Sequence, residues 1–151
     1  MSRPVFDMNV FIEYKSSIND YHLAKMALSS VVLYELTAPT IDKSVWQKYT
    51  AWRKFYEKDK LLLVPTSEDW WEASKIVSRI RFGEKSASQG KTPKLADAQK
   101  LQNDALISRT AYAQKYFVVT SNLRDFQKIQ QFLNVESVSA DEYFADESSK
   151  V

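Results

Sequence analysis

The chain has 151 residues, of which 44% are hydrophobic and 26% charged, with a formal net charge of +2 and no cysteine. This composition predicts one globular domain, and the lack of cysteine excludes disulfide bonds, thiolate catalysis and cysteine zinc sites. No apolar run reaches the roughly 18 residues of a membrane span, and the amino terminus lacks a secretory signal pattern. We therefore expect a cytoplasmic domain over residues 1–145, followed by a flexible polar tail at 146–151.

Short apolar runs of β-favouring residues alternate with longer amphipathic segments along the chain. Strands are predicted at residues 4–6, 30–32, 61–64, 117–119 and 135–138. Helices are predicted at 41–59, at 67–85 with Ser67 as N-cap, and at 96–115. This alternation indicates an α/β fold in which a mainly parallel sheet is covered by helices on both faces.

Two further features concern loops and charge. Segment 83–93 contains both glycines of the chain and is otherwise small and polar, which predicts a mobile connector between the last two long helices.

Basic residues dominate segments 43–60 and 75–100, whereas the last eighteen residues are mainly acidic. A basic middle of this kind suits a polyanionic partner, although a solvated helix surface explains any one run slightly better.

Four acids are predicted to meet at one edge of the sheet. Asp7, Glu35 and Asp125 each come just after a predicted strand, and ligands of open parallel sheets bind beyond the carboxyl ends of the strands. Asp104 lies early in the third long helix, from which its side chain can lean toward the same edge. Glycine-rich nucleotide-binding motifs are absent, so nothing in the sequence supports binding of dinucleotides or nucleoside triphosphates.

Clustered carboxylates repel one another, and a divalent cation relieves that repulsion. Oxygen ligands suit Mg²⁺ or Mn²⁺, either of which lowers the pKa of a bound water and stabilises charge on a phosphoryl group. The predicted metal ligands, which are also the predicted catalytic residues, are Asp7, Glu35, Asp104 and Asp125. Three further polar residues are predicted to orient these acids by hydrogen bonds: Asn9, Thr120 and Asn122.

Histidine is not expected to act as the acid or base in this chemistry. RNA cleavage through the 2′-hydroxyl is usually built on histidine acids and bases, and the chain contains only His22, beside Tyr21 in a segment expected near the surface. An incidental role is expected for His22. Water activated by a metal is therefore the better nucleophile, and it would leave 5′-phosphate and 3′-hydroxyl ends.

Each acid also has a structural explanation when taken singly. Asp7 is placed to cap a helix that starts near Asn9, and Glu35 to act as a first-turn acid favoured by the helix dipole. A carboxylate such as Asp104 is unremarkable on a helix surface, but the apolar residues 105–107 place it near the core, where a lone charge is costly. Asp125 fits a helix amino terminus capped by Asn122.

Four segments carry a family resemblance: VFDMNVFI at 5–12, SVVLYEL at 30–36, NDALI at 103–107 and VVTSNLRDF at 118–126. In order and spacing they resemble a PIN domain, and more narrowly the VapC-type toxins of bacterial and archaeal toxin–antitoxin pairs. The family often has threonine after the first aspartate, where this chain has Met8. The segment 41–95 is also longer and more aromatic than expected, and it is a candidate partner surface.

The resemblance implies a three-layer α/β/α fold with a short, mainly parallel central sheet. It also implies a Mg²⁺- or Mn²⁺-dependent endoribonuclease acting on single-stranded RNA, usually a homodimer, held silent by an antitoxin that lies across the active site. By this analogy Asp7, Glu35 and Asp104 bind the metal, and Asp125 with Asn122 completes the site.

Two other functions compete with this interpretation. One is a non-catalytic module that binds RNA or protein on the same fold. The other, an aspartyl-phosphate phosphatase using Asp7, is disfavoured because Asn9 stands where such enzymes have a second acid.

Overall fold

The computed structural model describes residues 2–87 and 95–148. Its five strands are β1 (Pro4–Phe6), β2 (Leu28–Ser29), β3 (Leu62–Leu63), β4 (Phe117–Thr120) and β5 (Ser137–Ser139). Its helices are α1 (Met8–Glu13), α2 (Asp20–Lys25), α3 (Ser30–Thr37), α4 (Lys43–Lys58), α5 (Ser67–Ala87), α6 (Leu95–Ala113), α7 (Leu123–Gln130) and α8 (Ala140–Ser148). The predicted connector beyond residue 87 and the last three residues lie outside the described ranges.

The five strands form two small parallel sheets that are joined through β1. β4 pairs with both β1 and β5 in one sheet, β2 pairs with β3 in another, and every one of these described pairings is parallel. A parallel bridge between Val5 and Ala27 links the two sheets through β1. The predicted α/β/α architecture with a short, mainly parallel central sheet is therefore confirmed, and the carboxyl ends of β1 and β4 lie side by side.

The core explains why the short strands hold their positions. Val5, Phe6, Val118 and Val119 are fully buried on β1 and β4, and each such side chain contributes roughly 1.5–3 kcal/mol through removal from water. The central helix α6 buries Ala105, Leu106, Ile107 and Ala111. Because this face of α6 packs into the core, the position of Asp104 beside it is fixed by the same packing.

The prediction of a strand at residues 30–32 is wrong, because these residues begin helix α3. Strand β2 ends at Ser29, whose hydroxyl accepts hydrogen bonds from the backbone N–H groups of Val31 and Val32. Such a cap satisfies amide groups that a helix amino terminus otherwise leaves unpaired, so the chain turns directly into α3 despite its β-branched residues. As a consequence Glu35 is carried by a helix and does not directly follow a strand.

Several helix boundaries also differ from prediction. The N-cap of α5 is Thr66 rather than Ser67: its hydroxyl accepts from the backbone N–H of Asp69, whose carboxylate accepts from the backbone N–H of Thr66. Helix α5 continues to Ala87, so the first part of the predicted connector is helical. Helix α8 runs to Ser148, three residues into the segment expected as a tail.

His22 is buried, contrary to the expected place near the surface. It is only 5% exposed, and its Nδ1 accepts a hydrogen bond from the backbone N–H of Asn19, which caps α2. Its ring also meets the edge of Phe144. These contacts give His22 a structural role in joining α2 to α8.

The aromatic middle of the chain divides between core and surface. Tyr56 is buried and Trp52 packs against the core, whereas Trp46, Trp70 and Trp71 are about half exposed or more. Within the two described ranges, no helix is both long enough and apolar enough to span a membrane.

Candidate functional site

Asp7 is fixed between β1 and α1 by backbone and side-chain contacts. Its own N–H donates to the carbonyl of Val119 at 3.0 Å, which continues the β1–β4 ladder by one residue. Its Oδ1 accepts from the backbone N–H of Met8 at 2.7 Å, and its Oδ2 accepts from the Thr120 hydroxyl at 3.0 Å. Asp7 is therefore the N-cap of α1, as one interpretation of the sequence held, and it is also held at the edge where the acids meet.

A chain of polar contacts leads from Thr120 to Asp125. The Thr120 hydroxyl accepts a 2.9 Å hydrogen bond from the backbone N–H of Asn122, and Asn122 Nδ2 donates to Asp125 Oδ2 at 2.7 Å. Asn122 occupies the N-cap position of α7, but its side chain makes no capping hydrogen bond. Its amide donates to Asp125 in the first turn of α7 instead. The alternative in which the Asn122 side chain caps α7 is therefore not observed.

Asp104 and Glu35 approach the same edge from two helices. Asp104 is 3% exposed and lies in the middle of α6, rather than early in that helix. Glu35 is the sixth residue of α3, which removes the first-turn explanation of this acid. Asn103 Nδ2 donates to Glu35 Oε2 at 3.3 Å, while Glu35 Oε1 is buried and has no hydrogen-bond partner in the described part of the chain.

The pKa values show that the acids lie within electrostatic reach of one another. Burial, and then the negative charge of Asp7, raises the pKa of Asp104 to about 8. Burial raises the pKa of Asp7 against the opposing hydrogen bonds from Met8 and Thr120, and burial also raises the pKa of Glu35. The charge of Asp125 contributes to the raised pKa values of both Asp7 and Asp104. A cluster of this kind favours either protons or a bound cation.

The structure adds two residues that the sequence analysis did not assign to the site. Asn103 hydrogen-bonds to Glu35, and the Nζ of Lys100 lies 3.2 Å from Asp125 Oδ2. Lys100 precedes Asp104 by four residues on α6, a spacing that places two side chains on one helix face and was available from the sequence. Asn9, predicted to orient the acids, makes no hydrogen bond to them within the described contacts.

Comparison with solved structures identifies the fold. The chain matches DNA-bound VapBC from Salmonella typhimurium with a TM-score of 0.52 and 19% identity, over 92% of this chain and 98% of that chain. It matches FitAB bound to an IR36 DNA fragment with a TM-score of 0.50 and 15% identity, over 90% and 94%. The chain has a PIN-like fold. No protein-family model matches the sequence, and no curated protein matches it.

The chemistry of these carboxylates suits a hard divalent cation, although the side chains are not preassembled as metal ligands. Within residues 2–87 and 95–148, no group of three or more His, Asp or Glu side chains is close enough to form a preassembled metal site. The donors are nevertheless carboxylate oxygens, and Glu35 Oε1 has no partner that a metal would have to displace. Mg²⁺ commonly keeps several waters and uses only one or two carboxylates, so the donor set agrees with Mg²⁺ or Mn²⁺.

A groove of about 680 Å³ lies between α1, α3 and α4. Glu35 lines one part of it, Met8, Ile12 and Tyr49 provide apolar surface, and Lys15 and Lys48 provide positive charge. Burial and then the charge of Lys15 lower the pKa of Lys48, so the two ammonium groups repel each other. The ammonium of Lys48 lies 5.0 Å from the ring centre of Trp52. The groove thus combines an apolar wall with positive charge beside Glu35.

Proposed function

We propose that this protein is a Mg²⁺- or Mn²⁺-dependent endoribonuclease that hydrolyses phosphodiester bonds in single-stranded RNA. The observation that supports this proposal most directly is the convergence of Asp7, Glu35, Asp104 and Asp125 at the carboxyl edge of a parallel sheet. Burial raises the pKa values of the first three, and neighbouring carboxylates add to each rise, so a bound cation would stabilise their charged forms.

The residues of this site would divide into ligands and supports. The carboxylates of Asp7, Glu35, Asp104 and Asp125 would hold the cation. A bound Mg²⁺ or Mn²⁺ would supply a water of lowered pKa and positive charge opposite the phosphoryl oxygens. Thr120 fixes one oxygen of Asp7, Asn103 one oxygen of Glu35 and Asn122 one oxygen of Asp125. These hydrogen bonds restrict rotation of the carboxylates, which is how outer residues commonly tune a metal site.

The groove beside Glu35 is a suitable path for the RNA strand. Lys15 and Lys48 repel each other there, and a phosphate between them would relieve that repulsion. The apolar wall formed by Met8, Ile12 and Tyr49 suits contact with an unpaired base. These features favour a single strand, because a paired base has no exposed face to offer to that wall.

The biological setting that we propose is a type II toxin–antitoxin pair in the cytoplasm. Two of the similar solved structures are of DNA-bound VapBC and of FitAB bound to a DNA fragment, and the four sequence segments resemble VapC-type toxins. This chain would then be the toxin and act as a homodimer. Its antitoxin would lie across the carboxylates and keep RNA away from them.

The test is cleavage of defined RNAs by the purified protein in Mg²⁺ or Mn²⁺, with mapping of the cut ends. Asp104→Asn and EDTA are each expected to abolish cleavage, and the products should carry 5′-phosphate and 3′-hydroxyl ends. Asp97→Asn is the matched control, because Asp97 is an exposed acid on the same helix, and it should cleave like the wild type. Cleavage that survives EDTA and Asp104→Asn would contradict the proposal.

A non-catalytic module that binds RNA or protein is the second candidate. The absence of a preassembled group of metal ligands within the described ranges favours it, as does the ion pair that already occupies Asp125. Calorimetric titration with Mn²⁺ separates the two functions. No Mn²⁺ binding together with intact RNA binding would favour the module, whereas Mn²⁺ binding that Asp104→Asn removes would favour the nuclease.

A further inference from the structure

Lys100 occupies an unusual position among the acids of the site. Its Nζ lies 3.2 Å from Asp125 Oδ2. Its charge also lowers the pKa values of Asp7, Glu35 and Asp104, each of which is raised by burial. A single ammonium group therefore acts on all four predicted metal ligands.

An ordinary surface ion pair does not account for this arrangement. The side chains of Lys100 and Asp125 are 48% and 29% exposed, and such a pair alone contributes little to stability. Asp7 and Asp104, however, are 4% and 3% exposed, so their charges are poorly compensated by water. Lys100 is the cationic side chain with a described charge effect on both.

A lysine ammonium is positively charged across the neutral range, and that of Lys100 lies 3.2 Å from Asp125 Oδ2. A divalent cation seated among the same carboxylates must approach this charge at close range, and two positive charges a few ångströms apart repel strongly at low effective dielectric.

We propose that Lys100 is the internal counter-cation of the metal-free site, and that a divalent metal ion displaces its ammonium from Asp125. The proposal rests on the proposed function, since it assumes that the carboxylates bind a metal. It assigns to Lys100 a positioning role. Lys100 keeps the acids compatible with the fold when no metal is bound, and it sets the metal concentration at which the site is filled.

The direct test is calorimetric titration of the protein with Mn²⁺ in the absence of RNA. Lys100→Met removes the charge while keeping a similar side-chain length, and it should bind Mn²⁺ about tenfold more tightly than the wild type. Lys100→Arg keeps the charge and should stay within about threefold of the wild type. Lys54→Met on the exposed surface of α4 is the matched control and should leave the affinity unchanged. Equal or weaker binding by Lys100→Met would overturn the proposal.

Thermal unfolding gives a second readout that does not involve activity. In EDTA, Lys100→Met should melt at a lower temperature than the wild type, because the acids lose their internal cation. Mn²⁺ should then raise its melting temperature by more than it raises that of the wild type. An equal Mn²⁺-induced rise in the two proteins would count against displacement. Lys100→Gln repeats the measurement if Lys100→Met is poorly soluble.

These outcomes separate the Lys100 proposal from the proposed function. If the wild type binds Mn²⁺ and cleaves RNA while Lys100→Met binds no more tightly, the Lys100 proposal fails and the nuclease stands. If neither the wild type nor Lys100→Met binds Mn²⁺, both fail. If Lys100→Met alone binds Mn²⁺, the counter-cation role is supported and the wild-type nuclease would need RNA phosphate to complete its site.

Discussion

The hydroxyl of Thr120 donates a 3.0 Å hydrogen bond to Asp7 Oδ2, across 113 positions of sequence. The parallel register of β1 and β4 produces this contact, because Phe6 pairs with Val119 and each strand then presents its next residue at the same edge. Thr120 is fully buried and Asp7 nearly so. A buried carboxylate held by one hydroxyl and one backbone amide cannot rotate freely, so Thr120 determines where the second oxygen of Asp7 points.

Thr120→Val should weaken Mn²⁺ binding by more than its loss of folding stability alone would explain. Valine keeps the shape of threonine but leaves Asp7 Oδ2 without a donor and the backbone N–H of Asn122 without its acceptor. We expect a loss of about 1–3 kcal/mol in the free energy of unfolding and a loss of roughly 10- to 100-fold in Mn²⁺ affinity. Urea denaturation and calorimetry measure the two effects.

Thr110→Val is the matched control for this substitution. Thr110 is also buried, but within the described residues its hydroxyl donates only to the carbonyls of Leu106 and Ile107 in α6. It should change the free energy of unfolding without changing Mn²⁺ affinity. If Thr110→Val lowers the affinity as much as Thr120→Val, then loss of stability rather than orientation of Asp7 is responsible.

Asp104→Asn should stabilise the metal-free protein at alkaline pH. Because burial raises the folded-state pKa of Asp104 to about 8 from the ordinary value of 3.8, the folded protein retains a proton that the unfolded chain releases. The resulting penalty is absent below about pH 4, grows as the pH rises toward 8, and is complete above it. Asparagine carries no ionisable proton, so in EDTA at pH 8 the variant should be more stable by at least about 1 kcal/mol, or roughly 2–4 °C in melting temperature.

The pH dependence makes this prediction specific. The stability difference between Asp104→Asn and the wild type should shrink as the pH falls toward 4, and Mn²⁺ should reverse its sign at pH 8. Asp97→Asn, an exposed change on the same helix, should show neither effect. A constant difference from pH 4 to 8 would indicate a packing effect of asparagine and no raised pKa at Asp104.

Local sequence signals predicted some parts of the site and failed at others for identifiable reasons. Asp7 was placed correctly at the end of β1 because a short apolar run before a polar residue has one simple interpretation. The apolar, partly β-branched residues 31–34 predict a strand before Glu35, but the hydrogen bonds that the Ser29 hydroxyl accepts at the start of α3 override that propensity. The hydrogen bond of Asn103 to Glu35 joins residues 68 positions apart, and no local pattern encodes it.

The paired lysines of the groove should bind phosphate and contribute little to the chemistry. Lys15→Gln with Lys48→Gln, made in the Asp104→Asn background to prevent cleavage, should weaken binding of single-stranded RNA. Because each lost phosphate contact removes about 0.7 from the slope of log affinity against log salt for a single strand, the double change should lower that slope by about 1.4. Fluorescence anisotropy of a labelled RNA between 50 and 200 mM salt measures it.

A matched pair of lysines from the same region supplies the comparison. Lys54→Gln with Lys58→Gln removes the same charge from exposed positions of α4 that do not line the groove. An equal fall in slope for both pairs would mean that RNA responds to the net charge of the chain, and the groove would lose its role as the RNA path.

Asn103→Leu should shift the pH dependence of Mn²⁺ affinity toward higher pH. The Asn103 side chain donates to Glu35 Oε2, and this hydrogen bond opposes the rise in the Glu35 pKa caused by burial. Without the donor, the Glu35 pKa rises further, so a smaller fraction of the acid is ionised at a given pH and more protons must be released when Mn²⁺ binds. The loss of affinity should therefore be greatest at acidic pH and should diminish as the pH rises above the Glu35 pKa of both proteins.

Titrations with Mn²⁺ at a series of pH values test this, with Gln102→Leu, an exposed neighbour on α6, as control. Curves for Asn103→Leu and the wild type that differ by a constant factor at every pH would instead assign Asn103 a packing role.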